Sequence, residues 1–186
     1  MLYFTADQHF GHKNIIEFQN RPFKSVKDMD EALIYHWNTA VGEEDTVFHL
    51  GDFTFHDEEV AKLYIKRLNG TIYFLSNPWH HDKRWLPKDF GLTRFKTKTQ
   101  GKVYTLPPIH VINLKDPRYL VNGFPRALVL SHYPQEDWER KHWESIHLHG
   151  HSHGAALPMK RRMDVGVDAY GMVPVSLSEV MELIND

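Results

Sequence analysis

The sequence contains no cysteine. That absence excludes disulfides, thiolate metal sites and cysteine nucleophiles together, so any metal must be held by nitrogen and oxygen. No sign of charge dominates either: 22 basic side chains stand against 24 acidic ones, a formal net charge of -2. The overall positive field that long nucleic acids demand is therefore missing. No apolar run approaches the roughly 20 residues of a membrane-spanning helix. The opening Met1-Leu2-Tyr3-Phe4-Thr5-Ala6-Asp7 has no basic leader and does not read as a signal peptide. A cytoplasmic protein without a membrane partner is the expectation. No repeat, linker or low-complexity segment divides the 186 residues, which suffice for one domain with a real core and are too few for two of full size. Residues 1–186 are read as a single domain.

What is abundant is histidine, with fourteen scattered copies. The densest stretch is His147-Leu148-His149-Gly150-His151-Ser152-His153-Gly154. Residues two apart in an extended strand share a face, so His151 and His153 are expected to present their rings together if the strand continues that far. Other short apolar runs also end in ligand-type residues. Leu2 to Ala6 delivers Asp7-Gln8-His9, Thr46 to Leu50 delivers Gly51-Asp52, Thr71 to Leu75 delivers Ser76-Asn77, and Ala127 to Leu130 delivers Ser131-His132. Buried strands of open sheets commonly hand over their ligands at this edge.

Between the strands, Asn14 to Phe18 reads as a helical turn. Ser25 reads as the N-cap of a helix whose Met29, Leu33, Trp37 and Val41 form an apolar stripe. A second helix is expected over about 57–69, with Gly70 as its stop. Residues 83–95 read as loop with a short helix. Lys102 to Leu106 and Ile109 to Leu114 read as a hairpin around Pro107-Pro108. Met163 to Val167 and Val173 to Val175 are expected as closing strands, and Ser176 to Ile184 as a terminal helix.

Collected, the strand ends supply Asp7, His9, Asp52, Asn77, His132, His151 and His153, a carboxylate, amide and imidazole set suited to two divalent cations. Their order and chemistry resemble the calcineurin-like metallophosphoesterase superfamily, in its small bacterial and phage form. Its signature of D-x-H, G-D, G-N-H-D, a lone histidine and G-H-x-H reads here as Asp7-Gln8-His9, Gly51-Asp52, Ser76-Asn77 with His81-Asp82 after an insert, His132, and Gly150-His151-Ser152-His153. The resemblance spans residues 3–153 and extends weakly to Asp164-Val165-Gly166-Val167-Asp168.

The resemblance implies an α/β fold of two mixed β-sheets packed as a sandwich, flanked by helices in four layers. It implies a dinuclear metal-dependent phosphohydrolase, a phosphodiesterase foremost, with a metal-bridging hydroxide attacking phosphorus in line. One cation would sit on Asp7, His9 and His153, the other on Asn77, His132 and His151, with Asp52 bridging. Manganese is the expected metal, with iron, zinc and nickel as alternatives. His81 would protonate or stabilise the leaving group, and Asp82 would orient it. The chain departs from the pattern where Ser76 replaces a glycine and Pro78-Trp79-His80 intervenes, which leaves His80, His81 or neither in the working position. His12, His80 and Arg21 are further candidates for substrate contact.

The expected partner is a small phosphate ester, a nucleotide or short nucleic acid among them; the oligomeric state is open. Competing readings are a phosphomonoesterase or nucleotide phosphatase, and a catalytically silent metal-containing binding module. A metallo-β-lactamase-like hydrolase expects H-x-H-x-D-H, whose aspartate is lacking. His36, His110 and His142 read as structural. His49, His147 and His149 read as structural or as supports that orient ligands. Lys160-Arg161-Arg162 reads as a solvated hairpin edge, and Asp168 and Tyr170-Gly171 as a closing turn. The aromatics Phe10, Phe23, Trp79 and Trp85 lie near the motif loops, where they can line a pocket or simply pack.

Overall fold

The computed structural model describes residues 1–185, in an α/β architecture with two mixed sheets and four α-helices. In the first sheet, β1 (Leu2–Thr5), β2 (Thr46–His49), β3 (Thr71–Leu75) and β5 (Lys102–Leu106) run parallel. Its edges are antiparallel: β11 (Val175–Ser176) beside β1, and β4 (Gly91–Lys96) beside β5. In the second sheet, β8 (Phe124–Ser131), β9 (Ile146–His149) and β10 (Arg162–Asp164) are parallel. There β6 (Ile109–Leu114) and the two-residue β7 (Leu120–Val121) pair antiparallel with β8.

Alternation along the strands decides which side chains meet. Phe4, Phe48, Leu50 and Leu75 of the first sheet join Leu114, Leu128, Leu130, Ile146 and Leu148 of the second in one buried cluster, so the sheets pack face to face. The first sheet's other face gives Tyr3, Val47, Ile72, Phe74 and Val103 to a second cluster with helical residues. Those come from α2 (Val26–Ala40), which offers Met29, Leu33, Ile34 and Trp37, and α3 (Glu58–Ile65), which offers Ala61 and Ile65. Each such fully buried apolar side chain contributes roughly 1.5–3 kcal/mol. Ser25 caps α2 by accepting the Asp28 N–H at 3.1 Å, and Asp57 caps α3 by accepting that of Val60. The short α1 (Asn14–Phe18) lies between β1 and α2, and α4 (Leu177–Asn185) packs Val180 into the inter-sheet core.

Several expectations need correction. Residues 102–114 form no hairpin: β5 belongs to the first sheet and β6 to the second, and the chain crosses between sheets at Pro107-Pro108. Two residues without backbone N–H donors suit a crossover that leaves one ladder and joins another. Helical cover is one-sided. The outer face of the second sheet, where His147 points, carries the 132–145 loop, with Trp138 against the His147 ring at 5.3 Å. Arg161 and Arg162 brace that loop by donating to the carbonyls of Lys141 and Gln135, so the basic triplet is not merely solvated. The second long helix stops at Ile65, after which Arg67 and Leu68 close tighter three-residue turns. The loop expected over 83–95 contains most of β4.

Candidate metal centre

The C-terminal ends of β1, β2, β3, β8 and β9 meet at one edge of the sandwich. The loops after β1 and β2 run side by side, with Asp7 N–H donating to Gly51 O at 3.0 Å and His9 N–H to Asp52 O at 3.1 Å. Ala6 bridges Gly166, which ties this edge to the segment after β10. Asp7, His9, Asp52, His151 and His153 all have positive φ, between 47° and 65°. Non-glycine residues rarely adopt that conformation, and it concentrates where surrounding contacts over-determine the backbone.

These turns divide six of the seven predicted ligands, all but Asn77, into two compact groups. Asp7, His9 and His153 form one, and Asp52, His132 and His151 the other, with one ligand atom per residue within 4.8 Å of its group. His151 and His153 do not share a strand face, because β9 ends at His149 and the turn beyond it sends the two rings to different groups. Asp52 Oδ2 lies between the groups, 3.8 Å from His9 Nε2, 3.5 Å from His132 Nε2 and 3.9 Å from His81 Nε2. Close approach requires glycine nearby. A Cβ at Gly150 would sit 2.6 Å from Asp7 Oδ2 and 2.5 Å from Ala6 Cβ, and one at Gly51 would sit 2.8 Å from His132 Nδ1.

The polar atoms here are buried and largely without partners. Asp7 Oδ1, both ring nitrogens of His9 and both of His132 make no hydrogen bond. Leaving a buried polar group unpaired costs roughly 1–3 kcal/mol, so the arrangement fits a donor set whose partner is a cation. Burial pushes the Asp7 carboxyl up to about 7, and the Asp52 charge adds to it, against the pull of His132 and His153. Burial acts in the same sense on Asp52, but the imidazoles of His132, His9 and His81 outweigh it and hold that carboxyl well below the usual range. Burial also keeps His9 neutral, the form that ligates metal.

Asp168 and Arg21 support this edge. His153 Nδ1 donates to Asp168 Oδ2 at 2.6 Å, which fixes the tautomer and leaves Nε2 for a ligand. Arg21 grips Asp168 with Nε and Nη2, both at 2.7 Å, and donates to the carbonyls of Asp7 and Gln8. Its side chain has no exposure. Arg21 is therefore a buried brace and not the substrate contact expected of it. Asp168, expected only in a turn, orients a candidate ligand. Asp164 adds a further brace, accepting from Ser152 Oγ and Gly154 N–H in the turn that carries His153.

The insert after Asn77 places His80 and His81 differently. His80 is buried, its Nε2 3.1 Å from the Leu75 carbonyl and its Nδ1 accepting the Asp82 N–H at 3.3 Å. Both nitrogens are engaged with backbone, so His80 is not the substrate contact expected of it. His81 carries the half-exposed ring beside Asp52, and its backbone N–H donates to Asp52 Oδ1 at 3.2 Å. Asp82 does not orient it. The Asp82 carboxylate accepts from Phe53 N–H, Thr54 N–H and Trp85 Nε1, anchoring the backbone after Asp52. Asp52, His80 and Asp82 also form a compact triad, but these bonds occupy two of its members. Asn77 Oδ1 accepts the Trp79 N–H at 2.9 Å and keeps a second lone pair.

Phe55 walls the first group, its ring 3.6 Å from that of His81, 4.4 Å from His12 and 5.3 Å from His9. His12 lies part-buried on this wall with Nδ1 unpartnered. Nothing in composition or strand pattern singled out Phe55; its place three residues beyond Asp52 is the one signal. His49 and His149 hold backbone or neighbouring side chains: His49 pairs with Gln8 Oε1 and accepts from Gly51 N–H, and His149 pairs with Gly150 O.

The uncharacterized protein MJ1445 of Methanocaldococcus jannaschii is 30% identical to this chain over 193 residues, covering 99% of the chain and 91% of that protein. The chain belongs to the MJ1445 family. Gene 66 protein of Mycobacterium phage L5 is 29% identical over 98% of the chain and 93% of its own length. Its counterpart in phage D29 is 26% identical over 100% of the chain and 96% of its own length. A protein of unknown function from Aquifex aeolicus, AQ665, superposes with a TM-score of 0.66 at 23% identity over 99% of both chains, a likeness of fold. No protein-family profile matches the chain. The relatives thus come from an archaeon and from phages, and none of these names carries an activity.

Proposed function

We propose that the protein is a dinuclear metal-dependent phosphohydrolase whose main substrates are phosphodiesters. The observation that carries this reading is the set of buried atoms of Asp7, His9 and His132 that make no hydrogen bond, with His9 and His132 both within 3.8 Å of one Asp52 oxygen. Asp7, His9 and His153 would hold one cation, and Asn77, His132 and His151 the other, with Asp52 common to both. Manganese is the first choice and iron, zinc or nickel the alternatives, because imidazole and carboxylate ligands do not choose sharply among them. Bound there, the cations would acidify water and neutralise charge on the phosphoryl oxygens.

The chain's own groups supply the rest. Burial and the charges of His132, Lys83 and Arg84 lower the His81 pKa against the pull of Asp52, so the ring is largely neutral at pH 7 and offers an N–H to a departing oxygen. Asp52 Oδ1 holds the His81 backbone, and Phe55 holds its ring, so the donor is positioned before substrate arrives. Phe55 also keeps water from one side of the site. His12, on the same wall, is placed to donate to a phosphoryl oxygen.

The test is hydrolysis of bis-p-nitrophenyl phosphate and p-nitrophenyl phosphate in Mn²⁺, for wild type beside Asp52→Asn. Diester turnover should exceed monoester turnover and fall roughly 100-fold or more in the variant, the scale of losing one preorganised electrostatic group. Equal rates in the two proteins, or no turnover with metal bound, would overturn the reading.

A further inference from the structure

The insert Pro78-Trp79-His80 makes a small sealed loop beside a candidate ligand. His80 closes it from inside, 2% exposed, with its ring against the Leu75 carbonyl and the Asp82 N–H. Asn77 Oδ1 closes its start by accepting the Trp79 N–H. Between these two fastenings the Trp79 residue stands 80% exposed. Trp37, Trp85 and Trp138 are at most 6% exposed, and Trp143, at 68%, is near the β7–β8 hairpin, at the other end of β8 from His132. A lone exposed aromatic is ordinary on a protein surface. This one differs in its position, two residues from Asn77, and in the backbone bonds that hold its loop.

A fixed loop loses little freedom when a ligand lands on it, so an indole displayed this way is organised for binding in advance. A second exposed aromatic, Tyr133, borders the candidate ligands. Tyr133 meets His132 and His151 edge-on at 4.8 and 4.5 Å, both on the Asp52–His132–His151 side. The Asp7–His9–His153 side carries Phe55 with the rings of His12 and His81. The rim is thus divided between imidazole donors for a leaving group on one side and open aromatic surface on the other.

We propose that Trp79 is a stacking platform for a planar heteroaromatic ring on the non-leaving part of the ester, which makes the substrate class nucleotide-like phosphodiesters and not alkyl phosphates. The substrate half of this inference rests on the phosphohydrolase reading. The stacking half does not.

Two p-nitrophenyl diesters with the same leaving group separate the halves: thymidine 5′-(p-nitrophenyl phosphate) and ethyl p-nitrophenyl phosphate. In Mn²⁺, wild type should prefer the thymidine ester through KM. Trp79→Ala should lower the ratio of the two kcat/KM values by roughly 5- to 100-fold, the range of base–aromatic stacking, and Trp79→Phe should keep most of it. Calorimetry of the Mn²⁺-treated protein gives a readout without turnover: thymidine 5′-monophosphate should bind more tightly than inorganic phosphate, and Trp79→Ala should remove the difference. A preference absent from wild type, or retained in Trp79→Ala, overturns the proposal. Nucleotide preference without hydrolysis would count against the phosphohydrolase reading alone, and hydrolysis of both esters without preference against Trp79 alone.

Discussion

The two ends of the parallel strands treat their polar groups in opposite ways. At the N-terminal end, around a groove of about 750 Å³ lined by Met1, Glu44, Thr46, Asp116 and Arg118, charge is exposed and locally paired. The N-terminal ammonium meets Asp45, and Arg118 meets Asp116 at 2.7 Å. At the C-terminal end the carboxylates and imidazoles are buried, sit on left-handed backbone and leave Asp7 Oδ1 and four ring nitrogens unpaired. The end with the open groove is thus the less costly one. Unpaired buried polarity, and not concavity, marks where chemistry is to be sought.

Three changes sharpen this contrast. The largest effect is expected from Arg21→Met. Removing a fully buried guanidinium leaves the Asp168 carboxylate with His153 as its remaining partner, a loss of roughly 3–5 kcal/mol, and frees the carbonyls of Asp7 and Gln8. Denaturant unfolding should show it as a lower midpoint at unchanged slope. A fall of under 1 kcal/mol (about a fivefold change in the unfolding equilibrium) would mean that the brace is dispensable.

Next comes acid sensitivity from His147, a buried imidazole that, unlike His132, has partners for both nitrogens. Its Nδ1 donates to Val129 O at 3.0 Å and its Nε2 accepts the Gln135 N–H at 3.1 Å, a bonding pattern only the neutral ring can keep. Burial lowers its pKa to about 4. The unfolded chain binds a proton near pH 6.5, so this contribution to stability is complete above that pH and is lost as pH falls toward 4. The loss is on the order of 3 kcal/mol. His147→Gln should flatten this part of the stability profile between pH 6.5 and 4; an equally steep profile would assign the acid sensitivity to other groups.

The smallest effect is expected from Arg118→Ala. Its ion pair is exposed and screened, and the melting temperature should not move measurably. A clear drop would erase the distinction between the two ends.

Much of the site could be read from the chain because each ligand closes an apolar run. Strand burial fixed where Asp7, Asp52, Asn77 and His132 emerge, and the order of those runs was visible. What lay hidden depended on contacts distant in sequence. Asp168 orients His153 directly and is itself held by Arg21 across 147 positions, which no local pattern announces. His80 and His81 could not be told apart until the Leu75 carbonyl and Asp82 N–H were seen to capture the first ring. Strand periodicity misled at His151 and His153, where positive φ in the turn replaces alternation. It misled again at Pro107-Pro108, where two adjacent strands enter different sheets.

We propose that two cation sites share Asp52. Metal content after equilibration with Mn²⁺ and removal of excess tests it most directly, by elemental analysis of wild type beside His153→Ala and His132→Ala. The account predicts two ions per chain in wild type, about one in each single variant, and weakened binding of both in Asp52→Asn. A wild-type chain that holds no metal, or one whose content is unchanged by these substitutions, would contradict it.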